Sequence, residues 1–287
     1  MRLNPFDTNK INVGTTGGRS GGMGGGGKLG CGGIVVVLIG ALVFGADPAQ
    51  MIGSMQGSPS GSSQTVSSSE DEQAICTSNA YAQESCNALT SLNQTWQARF
   101  DEAGLGDQFR DPRLEFATAQ QFNTGCGTGS VGMGPFYCPA DETMYIDVQF
   151  YDQLAQMSGN GGDFARLYVV AHEYAHHIQT VTGISGQIRS AQQQNPRQAN
   201  QLSVMMELHA DCYAGVWAGR NRNLIEPGDL EEGMQAAAAI GDDNLTGGRV
   251  SAENFTHGTS QQRMAALRLG METGDDDRCD SEILQMR

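Results

Sequence analysis

Eighteen residues from Phe164 to Val181 contain neither proline nor glycine, and inside them stands His172-Glu173-Tyr174-Ala175-His176. A run of that length without a breaker predicts a helix, on which residues four apart share one face. Both imidazoles can then reach a single ion, with Glu173 one step on and facing the same cavity. A hydrolytic zinc site takes three protein ligands and keeps an open position for water, which the metal acidifies and a nearby carboxylate can deprotonate. Two histidines do not complete such a site, so the fold has to bring a third ligand to this helix.

The best candidate lies 31 residues after His176, in Glu207-Leu208-His209-Ala210-Asp211. With Glu207 as third ligand, Asp211 sits one helical turn on and can hydrogen-bond a ligand imidazole, fixing its tautomer and raising its basicity. H-E-x-x-H alone turns up by chance in unrelated helices; paired with E-x-x-A-D it is far more specific. A surface helix with satisfied histidines leaves the second motif unexplained. His177 is turned ~100° round the helix from His176 and cannot share the metal, so it belongs in the core or behind the ligands. His209 points away from Glu207, and Tyr174 reads as core.

Four stretches carry a resemblance to a known family. They are Gly134 to Asp141 (GPFYCPAD), Ala171 to Gln179 (AHEYAHHIQ), Glu207 to Ala218 (ELHADCYAGVWA) and His257-Gly258-Thr259-Ser260. Together they resemble the bacterial putative neutral zinc metallopeptidase family, from about Ser69 to the C-terminus, with a Gly-rich head and one membrane span in front. Ala175 departs from it, standing where that family usually has Gly, which touches helix packing more than chemistry. The resemblance implies an α+β, mainly helical zincin-like domain with a small β-sheet. One strand between Phe136 and Val148 would be an open edge that pairs with an extended substrate backbone.

The front of the chain reads differently. Residues 1–28 are Gly-rich with no hydrophobic periodicity and are expected to form a disordered cytoplasmic head. Leu29 to Ala46 is 18 residues without a charge, near the lower limit for a transmembrane helix. A signal peptide is the rival reading, but the apolar segment starts late and only Phe44-Gly45-Ala46 offers a weak cleavage site. A Ser/Gly/Gln-rich linker follows over 47–68, and the metallopeptidase domain is expected over 69–287. Arg2, Lys10, Arg19 and Lys28 precede the apolar stretch, against one acid, Asp7. Basic flanks stay cytoplasmic, so the expected topology is single-pass at the cell membrane with the catalytic domain outside.

Apart from Cys31, six cysteines remain: Cys76, Cys86, Cys126, Cys138, Cys212 and Cys279. An even number in an exported domain points to disulfides; six allow 15 pairings and sequence does not choose among them. The expected set is Cys76–Cys86, Cys126–Cys138 and Cys212–Cys279, with reduced buried thiols as the alternative. A net charge of −15 argues against a nucleic-acid partner, which needs clustered Lys and Arg.

Along the domain, Ser69-Glu70-Asp71-Glu72 has capping-box spacing, and Leu89, Leu92, Trp96 and Phe100 make one apolar helix face ended by Gly104. Strands are expected at 113–116, 136–138 and 144–148, with 125–134 a loop or wide hairpin. Helices follow at 151–157, from Asp163 as cap to Gly183, at about 197–218 and at 230–240, with a Gln-rich piece over 184–194 before Pro196. A loop over 241–254 precedes a last helix capped by Thr259 or Ser260 and running to about Met271. The tail after Asp275 can be pinned by Cys279.

These parts make a mechanism. Zn2+ would be held by His172, His176 and Glu207, Glu173 would act as general base and then general acid, and His257 is the candidate for stabilising the oxyanion, against a capping or structural role. The substrate is a polypeptide outside the cytoplasm. The competing classes are an inactive binding protein on the same fold and a zinc that only braces the structure. The second of these is disfavoured because structural zinc is usually closed by four protein ligands.

Overall fold

The computed structural model describes residues 1–16, 69–159 and 161–284. Two helices open the domain, α1 (Ser69–Cys76) and α2 (Ala80–Glu102), joined across a break by the Cys76–Cys86 disulfide. Asn79 caps α2, its side-chain oxygen accepting the Ala82 N–H at 2.9 Å. The expected stripe is buried: Leu89, Leu92, Trp96 and Phe100 all enter the core.

The main sheet has the order β1-β2-β6-β5, built from β1 (Val13–Thr16), β2 (Arg113–Ala117), β5 (Phe136–Cys138) and β6 (Thr143–Ile146). β1, β2 and β6 run parallel, and β5 is antiparallel to β6. The Gly-rich segment is a hairpin, β3 (Gln121–Thr124) with β4 (Gly127–Ser130), whose strands begin earlier than the glycines suggest. Cys126–Cys138 ties its turn to β5. Three stacked rings, Phe122, Phe136 and Tyr145, fill the small core between hairpin and sheet.

The rest is helical: α3 (Phe150–Ser158), α4 (Asp163–Val181), α5 (Ile184–Gln194), α6 (Ala199–Arg220), α7 (Asp229–Ala239), a four-residue α8 (Asp242–Leu245), α9 (Ser260–Thr273) and α10 (Asp276–Ile283). α4 is the central helix, buried round most of its circumference by α2, α6 and α7. Such a helix is apolar on nearly every side, which is why Leu167, Val169, Val170, Tyr174 and Ile178 crowd it. α6 and α9 cross in backbone contact. A Cβ on Gly215 would lie 2.2 Å from the Leu267 carbonyl, and one on Gly270 would lie 1.9 Å from that of Cys212. No side chain fits at that crossing, and Cys212–Cys279 then holds α10 on the same helix. All three disulfides are the expected ones.

Several expectations are corrected. Asp163 is the first residue of α4 rather than its cap; Gly162 holds the cap position without a side-chain bond. The 241–254 loop contains α8, and a further helix, α10, follows the one expected to be last. The largest correction concerns the head. Residues 1–16 are folded onto the domain, with β1 paired along β2 and Val13 wholly buried. The Val13 N–H donates to Glu72 Oε1 at 3.2 Å, Phe6 N–H to Asn87 Oδ1 at 2.8 Å, and Asn93 Nδ2 to the Lys10 carbonyl at 2.8 Å. The Met1 ammonium is buried between Asp229 and Asp163 at 2.8 and 3.1 Å. A disordered head on the opposite side of a membrane from the domain is incompatible with this pairing, because a parallel strand needs its neighbour within hydrogen-bond distance. Among the described residues no helix is long and apolar enough to cross a membrane; the apolar stretch 29–46 and the linker 47–68 lie outside them.

Candidate metal centre

α4 and α6 lie side by side, and their two motifs meet. His172 Nε2 is 3.1 Å from Glu207 Oε2, and His176 Nε2 is 3.5 Å from Glu207 Oε1. One ligand atom from each of the three lies within 4.8 Å of the others. All three side chains are largely buried. Two imidazole lone pairs and a carboxylate converging on one point are the donor set that zinc takes in three-ligand catalytic sites.

The electrostatics favour a cation there. Burial would raise the Glu207 carboxyl, but His176 and His172 outweigh it and hold the group well below the usual carboxylate range. Burial would likewise depress His172, yet Asp211 and Glu207 push it up to about 10. The same pair that favours a proton on this imidazole favours a metal at its free nitrogen. Glu173 is raised, chiefly by burial and against the pull of His172 and His176. A raised carboxyl is a stronger base at the place where a base is needed.

Asp211 stands behind His172 as expected, its Oδ1 2.8 Å from Nδ1. The sequence reading missed what holds Asp211. Arg263 on α9 donates from Nε to Oδ2 and from Nη2 to Oδ1, both at 2.8 Å, and the Tyr168 hydroxyl donates to Oδ1 at 2.6 Å. All four side chains are buried. The available signal was periodicity: Arg263 lies on the α9 face that carries Leu267 and Gly270, a charge where an apolar residue belongs. Behind His176 the partner is Gln179, whose Oε1 is 2.8 Å from Nδ1. Gln179 is one turn on along the same helix face, a spacing that could have found it.

His257 is brought to the same cavity as the three ligands and Glu173. Its Nδ1 faces Asp242 Oδ1 at 3.0 Å, while its Nε2 is a buried nitrogen without a hydrogen-bond partner among the described residues. His177 is in the core, as expected, with Nε2 donating to the Arg110 carbonyl at 2.7 Å and Nδ1 facing the Tyr137 hydroxyl at 3.1 Å. His209 does point away from the metal centre, toward Asp280 at 2.8 Å.

The cavity continues beyond the ligands as a cleft. Its lining is apolar at Met133, Pro135, Phe136, Phe150, Met157 and Val169 and mostly polar where α5 and α6 contribute. β5 borders the cleft and is an edge of the main sheet.

A family model described as putative neutral zinc metallopeptidase matches residues 6–282. The chain belongs to this family. It is 42% identical over 262 residues to uncharacterized protein YpfJ of Escherichia coli K12, covering 88% of this chain and 87% of that one. It is 42% identical over 177 residues to uncharacterized protein Rv2575 of Mycobacterium tuberculosis, covering 56% and 59%. No solved structure matches the chain. The matched range includes the folded head from residue 6 on, with β1.

Proposed function

We propose that this protein is a zinc-dependent endopeptidase with a zincin-like catalytic domain, acting on polypeptides outside the cytoplasm. The observation that carries the reading is the convergence of His172, His176 and Glu207 at the wall of an open cleft, with Glu173 alongside. His172, His176 and Glu207 would hold a zinc ion there, which would supply an acidified water, with a pKa of about 7, and Lewis-acid polarisation of a carbonyl. Glu173 takes a proton from the attacking water and passes one to the leaving amine. His257 meets the developing oxyanion through Nε2, with Asp242 holding the ring at Nδ1. The free edge of β5 pairs with an extended substrate backbone, which grips a peptide without demanding particular side chains.

Three disulfides favour an oxidising compartment. Attachment to a membrane through residues 29–46 is part of the reading, but not as a single crossing, which would put the head and the domain on opposite sides while β1 is paired with β2. Single cysteines placed at Asn9 and Ser69 should therefore react together with an impermeant reagent on intact cells. Protection of Asn9 alone would mean that β1 leaves the sheet in the cell.

The decisive test is Glu173→Gln. The purified parent should hold about one zinc and cleave an unstructured polypeptide, and a chelator should abolish cleavage. Glu173→Gln should keep its zinc and its fold and turn over at least about a hundredfold more slowly. A zinc-loaded parent that cleaves nothing would favour a binding protein, and near-full activity in Glu173→Gln would sink the mechanism.

A further inference from the structure

Behind His176 the hydrogen bonds run on to the end of the chain. The Gln179 amide nitrogen donates to the Met206 carbonyl at 2.8 Å and to His209 Nδ1 at 3.1 Å. His209 Nε2 is 2.8 Å from Asp280 Oδ1, which also accepts from the Tyr213 hydroxyl at 2.8 Å. Gln179 and His209 are wholly buried, whereas Asp280 reaches the surface.

The direction of every bond follows from one atom that has no choice. A backbone carbonyl only accepts, so the end of the Gln179 amide facing Met206 is its NH2 group. Its oxygen then faces His176 Nδ1, which has to carry the proton, and the lone pair of Nε2 is left toward Glu207. The second amide hydrogen requires a lone pair on His209 Nδ1. His209 therefore carries its proton on Nε2 and gives it to Asp280. Met206 directly precedes Glu207, so the stretch of backbone that places the third ligand also sets the tautomer of the second.

We propose that Gln179, His209 and Asp280 are positioning residues that hold His176 with its Nε2 toward the metal, and that the C-terminal helix α10 is in this way part of the metal centre. Asp280 follows Cys279, whose bond to Cys212 anchors α10 three residues beyond His209 on α6. The disulfide thus fixes the distance between this acid and the histidine it holds. The inference rests on zinc binding by His172, His176 and Glu207.

The test measures zinc release to a chelator from the zinc-loaded full chain, and the absorption bands of the cobalt-substituted protein. Gln179→Met removes the acceptor facing His176 and should weaken zinc binding on the order of 10–100-fold, with shifted cobalt bands. Asp280→Ala should weaken it less, by about three- to tenfold, since only part of the effect of a lost outer link is transmitted. Asp280→Asn keeps an acceptor in place and should restore the parent value. Asp280 is partly exposed, so this pair decides the matter even if Gln179→Met fails to fold. Parent-like release from Asp280→Ala, or an equal loss in Asp280→Asn, overturns the proposal. A parent that holds no zinc overturns the metal reading along with it, whereas a zinc-loaded parent with an unaffected Asp280→Ala overturns the positioning line alone.

Discussion

His172 and His176 present the same nitrogen to the same carboxylate, yet opposite chemistries hold them. Behind His172 is a fully buried carboxylate, itself gripped by a fully buried guanidinium and a tyrosine hydroxyl. Behind His176 is a neutral amide fixed by a backbone carbonyl. The charged support strengthens the basicity of its histidine but cannot be altered without stranding a charge inside the protein. The neutral support gives orientation with no charge to strand. Metal affinity and fold stability are therefore coupled on one side of the site and separable on the other.

The largest effect should come from breaking the charged side. Asp211→Ala leaves the Arg263 guanidinium buried without its partner, which typically costs about 3–5 kcal/mol. Denaturant unfolding of the metal-free protein should show that loss, in addition to zinc binding weakened by one or two orders of magnitude. Gln179→Met strands no charge, though it leaves buried polar groups unpaired, and should cost metal-free stability less than Asp211→Ala does, on the order of 1–3 kcal/mol. Equal losses from the two variants would erase the distinction between the supports.

Why one side was legible and the other was not follows from where the information sits. His172, Glu173, His176, Glu207 and Asp211 are related by helical spacings within two short motifs, so their geometry is local apart from a single docking of two helices. Arg263 and Asp280 act from other helices: periodicity marks Arg263 as a charge on an apolar face but not what it supports, and nothing around Asp280 marks it at all. Their roles exist only once α9 and α10 are laid on α6. The strands and most helices were legible for the same local reason; the disulfide pairing was not, since the sequence did not choose among 15 possibilities, although the expected set is the one the structure has. The head failed the same test in reverse. Residues 1–16 carry few apolar side chains, and their order comes from a parallel partner about a hundred residues away, so composition alone reads as disorder.

A second comparison lies between His176 and its neighbour. His177 uses both nitrogens inside the protein, and burial pushes it down to about 4, against a weaker opposing pull from the Arg110 carbonyl. The ordinary value is about 6.5. Between these values the unfolded chain binds a proton that the folded one excludes, so stability should rise with pH. This contribution is complete above pH ~6.5 and lost as pH falls toward ~4, about 3 kcal/mol in all. His177→Gln should flatten that part of the stability profile in the metal-free protein. An unchanged slope would mean that the carboxylates around the ligand histidines, and not His177, dominate acid unfolding.

The smallest expected effect sharpens the first comparison most finely. Tyr168→Phe removes one donor from Asp211 Oδ1, which keeps His172 Nδ1 and Arg263 Nη2. No charge is stranded, so the loss should be that of the bond to the Asp211 carboxylate and of a longer one accepted from Arg263 Nη2 at 3.2 Å, on the order of 1.5–3 kcal/mol. The hydroxyl helps to stabilise the ionised form of Asp211, whose carboxyl is lowered because Arg263 and His172 outweigh its burial. Removing it leaves the carboxylate more available to His172, and a stronger bond at Nδ1 makes Nε2 a better donor to the metal. Zinc affinity in Tyr168→Phe should therefore hold at the parent value or rise slightly while stability falls. That opposite movement is the signature of a support shared between fold and metal, and calorimetric zinc titration beside denaturant unfolding would register it. A parallel fall in both would mean that the tyrosine orients Asp211 toward His172 and does not merely share its charge.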